Sequence, residues 1–206
     1  MARATATRSP RLPRDERRAQ LLGAAQEIFT SQGYHAALMD DIAERAGVSK
    51  PVLYQHFPSK LELYLALLDE HVDDLVRKVQ AALASTTDNR ERVHASIAAY
   101  FDFVDSEGEA YRLVFESDLR NDPAVGERVE RALEACVTAI AETIAADTGS
   151  PPDEARLMSV ALAGQAEVSA RWWLASGGTV SRERAVEILA ALAWRGLAGS
   201  PRTVIG

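Results

Sequence analysis

A chain of 206 residues with 47% hydrophobic and 26% charged side chains can bury a sizeable core and is too apolar to be disordered throughout. No run reaches the ~18 apolar residues of a membrane span, the first residues lack an apolar signal core, and the single Cys136 excludes an intrachain disulfide, so a cytoplasmic, reducing location is expected. The net charge of -7 argues against nucleic acid at first sight, yet residues 1–60 carry +3, the remainder -10, and residues 1–18 alone +4.

Glycine and proline are sparse and fall between alanine- and leucine-rich runs, and period-two alternation is nearly absent. That pattern predicts an all-α chain. Residues 1–13 read as a flexible basic arm. From Arg14 to Gln32 the apolar positions Leu21, Leu22, Ala25, Ile28 and Phe29 form one helical stripe, which Gly33 is placed to end in a left-handed conformation. A second, short helix is expected from Asp40 to Ala46, stopped by Gly47. Ser49 then reads as the N-cap of a third helix, with Pro51 tolerated in its first turn because those N–H groups have no helical partner.

Ser59, with Glu62 three residues on, caps a fourth helix whose stripe runs from Leu61 to Val79 and ends near Ser85. At ~1.5 Å per residue it spans roughly 38 Å. Further helices are expected over 89–106, 109–116, 123–147, 152–175 and 181–198, about nine in all. Their separators, TTDN, DSEG, SDLRND, TGSPP and SGGTVS, are turn and cap chemistry.

Three short helices, the second and third joined by AGVS, form a helix-turn-helix candidate whose third helix would lie in a major groove. Lys50 and Gln55 can exchange hydrogen bonds with base edges, and Pro51 and Val52 offer small apolar surfaces to a thymine methyl. Tyr54, His56 and Lys60 can donate to phosphates. A generic helix pair with polar tips offers similar groups, so spacing alone leaves both readings open. The acidic body need not prevent binding. The Debye length is ~8 Å at physiological salt, far shorter than the fourth helix.

The block from Arg17 to about Val72 resembles the TetR family of transcriptional regulators, through the successive signatures A…FxxxGY, DIAxxAGVS and LYxHFxxKxxL. The resemblance implies a helix-turn-helix DNA-binding domain over 14–60 and a helical ligand-binding and dimerisation domain over 61–206. It implies that Lys50, Pro51, Val52 and Gln55 face bases, and that Tyr54, His56, Lys60 and Arg17 hold phosphates. One departure stands out: Ala37 and Leu38 occupy positions where many relatives carry Thr-Ser or Thr-Thr, so a capping hydroxyl and a phosphate contact are missing. Loss of such a cap costs about 1 kcal/mol, partly offset by Asp40 and Asp41 near the helix N-terminus.

In the C-terminal part the aromatic set Tyr100, Phe101, Phe103, Tyr111, Phe115 and Trp172, with Gln165 and Ser169, reads most simply as core. The resemblance implies that some of these residues line a pocket for an apolar or amphipathic effector. It also implies that the last two helices pair with their mates, through Ala161, Leu162, Val168, Leu189 and Leu192, in a homodimer reading a palindromic operator on double-stranded DNA. No metal site is expected, because His35, His56, His71 and His94 lack ligand spacing. No cofactor and no enzymatic activity are expected either, since no nucleophile or phosphate-binding motif is present. The expected function is a ligand-responsive regulator, first a repressor, with an activator or effector-independent regulator as the alternative. An enzyme with a vestigial DNA-binding head is the distant alternative.

Overall fold

The computed structural model describes residues 12–106, 119, 121–177 and 179–196, and every described element is an α-helix. There are eight: α1 Arg14–Ala36, α2 Met39–Arg45, α3 Lys50–His56, α4 Lys60–Ala84, α5 Asn89–Ser106, α6 Pro123–Thr148, α7 Pro152–Ala175 and α8 Arg182–Arg195. The helix expected over 109–116 lies outside the described residues. Contacts divide the chain into two compact units between Leu67 and Leu68, a boundary that falls within α4.

In the first unit, α1 buries Leu21, Leu22, Ala24, Ala25 and Phe29. Gly33 interrupts it with φ 77 and ψ 161. The positive φ expected there is present, but the ψ value is not that of a left-handed helical cap. It is a conformation that a Cβ would strain, so glycine is required. Gly47 ends α2 with φ 64 and donates to the Glu44 carbonyl at 2.9 Å. Ser49 holds the N-cap position of α3, but its hydroxyl makes no capping bond. Its carbonyl instead accepts from Val52 N at 2.9 Å. Ser59 behaves as expected, its Oγ accepting from Glu62 N at 3.1 Å.

A seven-residue helix is too short to be stable alone, so α2 and α3 depend on the core they share. Ile42, Leu53 and Phe57 are almost fully buried there. Beside them, the rings of Phe29, Tyr34 and Tyr64 pack pairwise with centroids 5.2–5.8 Å apart. Each ring brings a large apolar surface and a directional contact, which fixes α1 against the start of α4.

In the second unit, α6 packs along α7, and α5 packs on α7 and α8. Asp122 caps α6 through Ala124 N at 2.9 Å, Gly149 ends it in the left-handed region, and Ser181 caps α8 through Arg184 N at 3.3 Å. The rings of Phe101 and Trp173 meet at a tilt with centroids 5.5 Å apart, while Trp173 Nε1 donates to the Val180 carbonyl at 2.7 Å. Ion pairs join the helices at the surface: Arg182 reaches Asp102 at 2.7 Å, and both nitrogens of Arg156 reach Glu134 at 2.8 Å. No helix among the described residues is long and apolar enough to cross a membrane.

Candidate nucleic-acid interface and effector pocket

α3 is two-faced because Leu53 and Phe57, four residues apart, turn the same side into the core. Lys50, Pro51, Tyr54 and Gln55 are therefore exposed, and Val52 and His56 are half-buried. The face that sequence assigned to bases is thus presented outward as a contiguous surface. Lys50 is already engaged: its Nζ lies 2.7 Å from Asp40 Oδ1, and that hydrogen bond, then the nearby negative charge, raises its pKa above the usual lysine value.

Lys60, expected at a phosphate, is engaged within the unit. Its ammonium donates to the carbonyls of Tyr34 at 2.8 Å, Ala37 at 2.9 Å and His35 at 3.3 Å, and sits 4.5 Å from the Tyr34 ring centre. An ammonium has three donors, and three carbonyls at the C-terminal end of α1 lie within its reach. Lys60 closes the end of α1 and the entry to α2.

Arg17 donates to Gln20 Oε1 at 2.7 Å, and Gln20 Nε2 in turn donates to the Ala46 carbonyl at 2.8 Å in the AGVS turn. Arg18 lays its guanidinium 4.8 Å from the Phe57 ring centre, a cation–π contact. Gln20 and the Arg18–Phe57 contact were not singled out from sequence, and Asp40 was read only as a charge near the N-terminus of α2, not as the partner of Lys50. Only their spatial partners, in the AGVS turn, at Phe57 and at Lys50, connect them to α3. At the N-cap of α2, Leu38 makes no side-chain cap and is 58% exposed, so the missing hydroxyl leaves an apolar group at the surface.

The second unit contains a cavity of about 540 Å³, within the ~300–1,000 Å³ of small-molecule sites. Val79 and Leu83 of α4, Val93, Ile97 and Tyr100 of α5, and Leu133, Cys136, Ile140 and Ile144 of α6 form much of its wall. Met158, Leu162 and Ala166 of α7 and Leu192 of α8 complete it. The polar groups among the lining are few: Asn89, Arg92, Ser96, Thr143, Gln165, Asp147 and Thr148. Burial pushes the Cys136 thiol up to about 11, so it stays neutral there.

Of the residues expected to line a pocket, Tyr100 and Gln165 do so. Phe101 and Phe103 are fully buried in packing, Phe103 with Lys78 5.9 Å from its ring centre, and neither lines the cavity. Ser169 does not line it, and Trp172 is 63% exposed. Tyr111 and Phe115 lie outside the described residues. Bulky rings fill the space between helices, which leaves the cavity wall to aliphatic side chains.

Of the residues expected at a dimer interface, Ala161, Leu162 and Leu192 line the cavity, and Leu189 offers its carbonyl to Gln165 Nε2 at 3.2 Å. Val168 is 59% exposed. α7 and α8 also expose Leu157, Val160, Trp172, Ile188 and Trp194, apolar side chains of the kind found at association sites.

Comparison with known proteins agrees with both units. A family model described as bacterial regulatory proteins, tetR family, matches residues 21–67, and one described as tetracyclin repressor-like, C-terminal domain, matches residues 78–204. The chain is similar to the HTH-type transcriptional activator FasR of Mycolicibacterium smegmatis, 52% identical over 95% of this chain and 90% of that one. Among solved structures it resembles a TetR-like regulator from Rhodococcus sp. RHA1, at 29% identity and a TM-score of 0.73 over 92% of this chain and all of that one. It also shares its fold with FadR from Bacillus subtilis in complex with stearoyl-CoA, at 17% identity and a TM-score of 0.74 over 87% and 98%.

Proposed function

The chain belongs to the TetR family of bacterial regulatory proteins, and we propose that it is a homodimeric transcriptional regulator whose grip on a palindromic operator is set by an amphipathic effector. Lys50, Pro51, Val52 and Gln55 read bases, while Tyr54, His56 and Arg17 position the backbone. The exposed apolar residues of α7 and α8, Val168 and Trp172 among them, pair with a second copy. A twofold dimer then sets two α3 helices on half-sites about 34 Å, or a multiple of one DNA turn, apart.

The observation that carries this reading is the cavity of about 540 Å³ with aliphatic walls. α4 lends it Val79 and Leu83, and the first residue of the same helix, Lys60, holds the end of α1. One continuous helix therefore has a residue in each task. An effector shifts operator affinity only if it binds one conformation better than the other. The apolar wall suits an acyl chain, and a protein of the same fold holds stearoyl-CoA. Anisotropy of a labelled operator, titrated with protein in the presence and absence of a long-chain acyl-CoA, tests this. A change in operator affinity of about ten-fold or more, equal to ~1.4 kcal/mol, is expected, and no change at saturating ligand would contradict it.

The relative that is 52% identical is named an activator, and that similarity favours activation over the repression expected from sequence. In vitro transcription from an operator-bearing promoter separates the two. Activation predicts more transcript as protein is added, and a decrease would return the reading to a repressor.

A further inference from the structure

The charged residues among the pocket's lining are Arg92 of α5 and Asp147 of α6, and their helix neighbours Asn89 and Thr148 line the cavity with them. Arg92 pairs through Nη1 with Asp147, donates to Asn89 Oδ1 at 3.0 Å, and donates from Nε to the Thr86 carbonyl at 2.7 Å. The Arg92 side chain is only 16% exposed. Each charge of the pair sits at a helix end of its own sign: Arg92 in the first turn of α5, where the backbone dipole is positive, and Asp147 in the last turn of α6, where it is negative. Neither helix end favours the charge it carries, so mutual attraction holds the pair.

A guanidinium cannot give up its proton and must keep an acceptor. One turn further along α5, on the same face, Ser96 lines the same cavity with its hydroxyl closed off from solvent and without a hydrogen-bond partner. Buried hydroxyls are normally satisfied. A charged donor and an unpaired hydroxyl therefore face one apolar chamber from adjacent turns.

We propose that Arg92 and Ser96 form a head-group site for an anionic amphiphile. Oxygens of the ligand's carboxylate or phosphate replace Asp147 on Arg92 and accept from Ser96, while the tail lies along Ile97, Ile140 and Ile144. Asp147 is the built-in competitor. The proposal rests on the effector-pocket reading and names the class of ligand the pocket takes.

Calorimetry on the full chain with dodecanoate, dodecyl phosphate and dodecanol tests it. At least one of the two anions is expected to bind about ten-fold tighter than the alcohol, the scale of one charge-assisted hydrogen bond, and whichever anion is preferred identifies the head group. Arg92→Gln should bring the preferred anion within about two-fold of the alcohol, and Asp147→Asn should tighten the anion several-fold while leaving the alcohol unchanged. Equal binding of all three by the parent protein, or an anion preference that survives Arg92→Gln, overturns the head-group site and leaves the pocket standing. Binding of none of them overturns both. Should Arg92→Gln fail to fold, an unchanged anion-to-alcohol ratio in Asp147→Asn is enough to reject the site.

Discussion

The two units use apolar residues in opposite ways. In the first, Leu21, Ile42, Leu53 and Phe57 are packed with almost no exposure, because two seven-residue helices have no other source of order. In the second, four helices of 14 to 26 residues together with the end of α4 leave a chamber of about 540 Å³ between them. A reading surface must be rigid, whereas a sensor must keep space for a ligand. The same hydrophobic content serves one purpose by filling and the other by stopping short.

Truncation should therefore be felt unequally. Leu53→Ala is expected to cost about 2–5 kcal/mol and to abolish DNA binding, while effector binding survives. Ile140→Ala, which enlarges a chamber already present, should cost less than about half of that. Chemical denaturation followed by ligand titration checks both, and equal losses would erase the contrast between the units.

Next in size is a pH effect confined to the second unit. Burial raises the Cys136 thiol from an ordinary 9.0 to about 11. A folded-state value above the unfolded one favours the neutral form, so its contribution is complete below pH 9 and disappears as pH rises toward 11. The loss at the top of that window is about 2–3 kcal/mol. Cys136→Ala should show a correspondingly shallower decline in stability between pH 9 and 11 than the parent protein.

Lys60→Met separates a structural clamp from a phosphate contact. Removing the ammonium takes away its hydrogen bonds to the carbonyls of Tyr34 and Ala37, at about 1–3 kcal/mol of stability in the first unit. The salt dependence of DNA binding should be unaltered, whereas loss of a phosphate contact would reduce its slope by about one. Smallest is a gain: Leu38→Thr supplies the absent cap of α2 and should stabilise the first unit by about 1 kcal/mol, read as a rise in its unfolding midpoint.

The first unit was largely legible because its signals are local. Gly47 and Ser59 punctuate the chain where expected, Gly33 breaks α1 without ending it, and the run from Lys50 to Phe57 is divided into two faces by spacing alone. What escaped was long-range within the unit: Lys60 reaches back to carbonyls more than twenty residues earlier, and Asp40 claims Lys50. The pocket was less legible for a different reason. Leu133, Cys136, Ile140 and Ile144 recur at helical spacing just as core residues do. Periodicity marks an apolar face without saying whether a neighbour fills the space against it. Phe101 and Phe103 are core, the simpler of the two readings of the aromatic set, because their size makes them fillers.

The central claim, that two outward faces of α3 read one palindrome, is tested most directly by selecting bound sites from random DNA with the parent protein, Gln55→Ala and Tyr54→Phe. The parent protein should recover an inverted repeat. Gln55→Ala should relax it at particular base pairs, about 1–3 kcal/mol of discrimination each, and Tyr54→Phe should weaken binding while preserving the sequence ranking. Recovery of no inverted repeat by the parent protein, or a reordered ranking with Tyr54→Phe, would contradict the account.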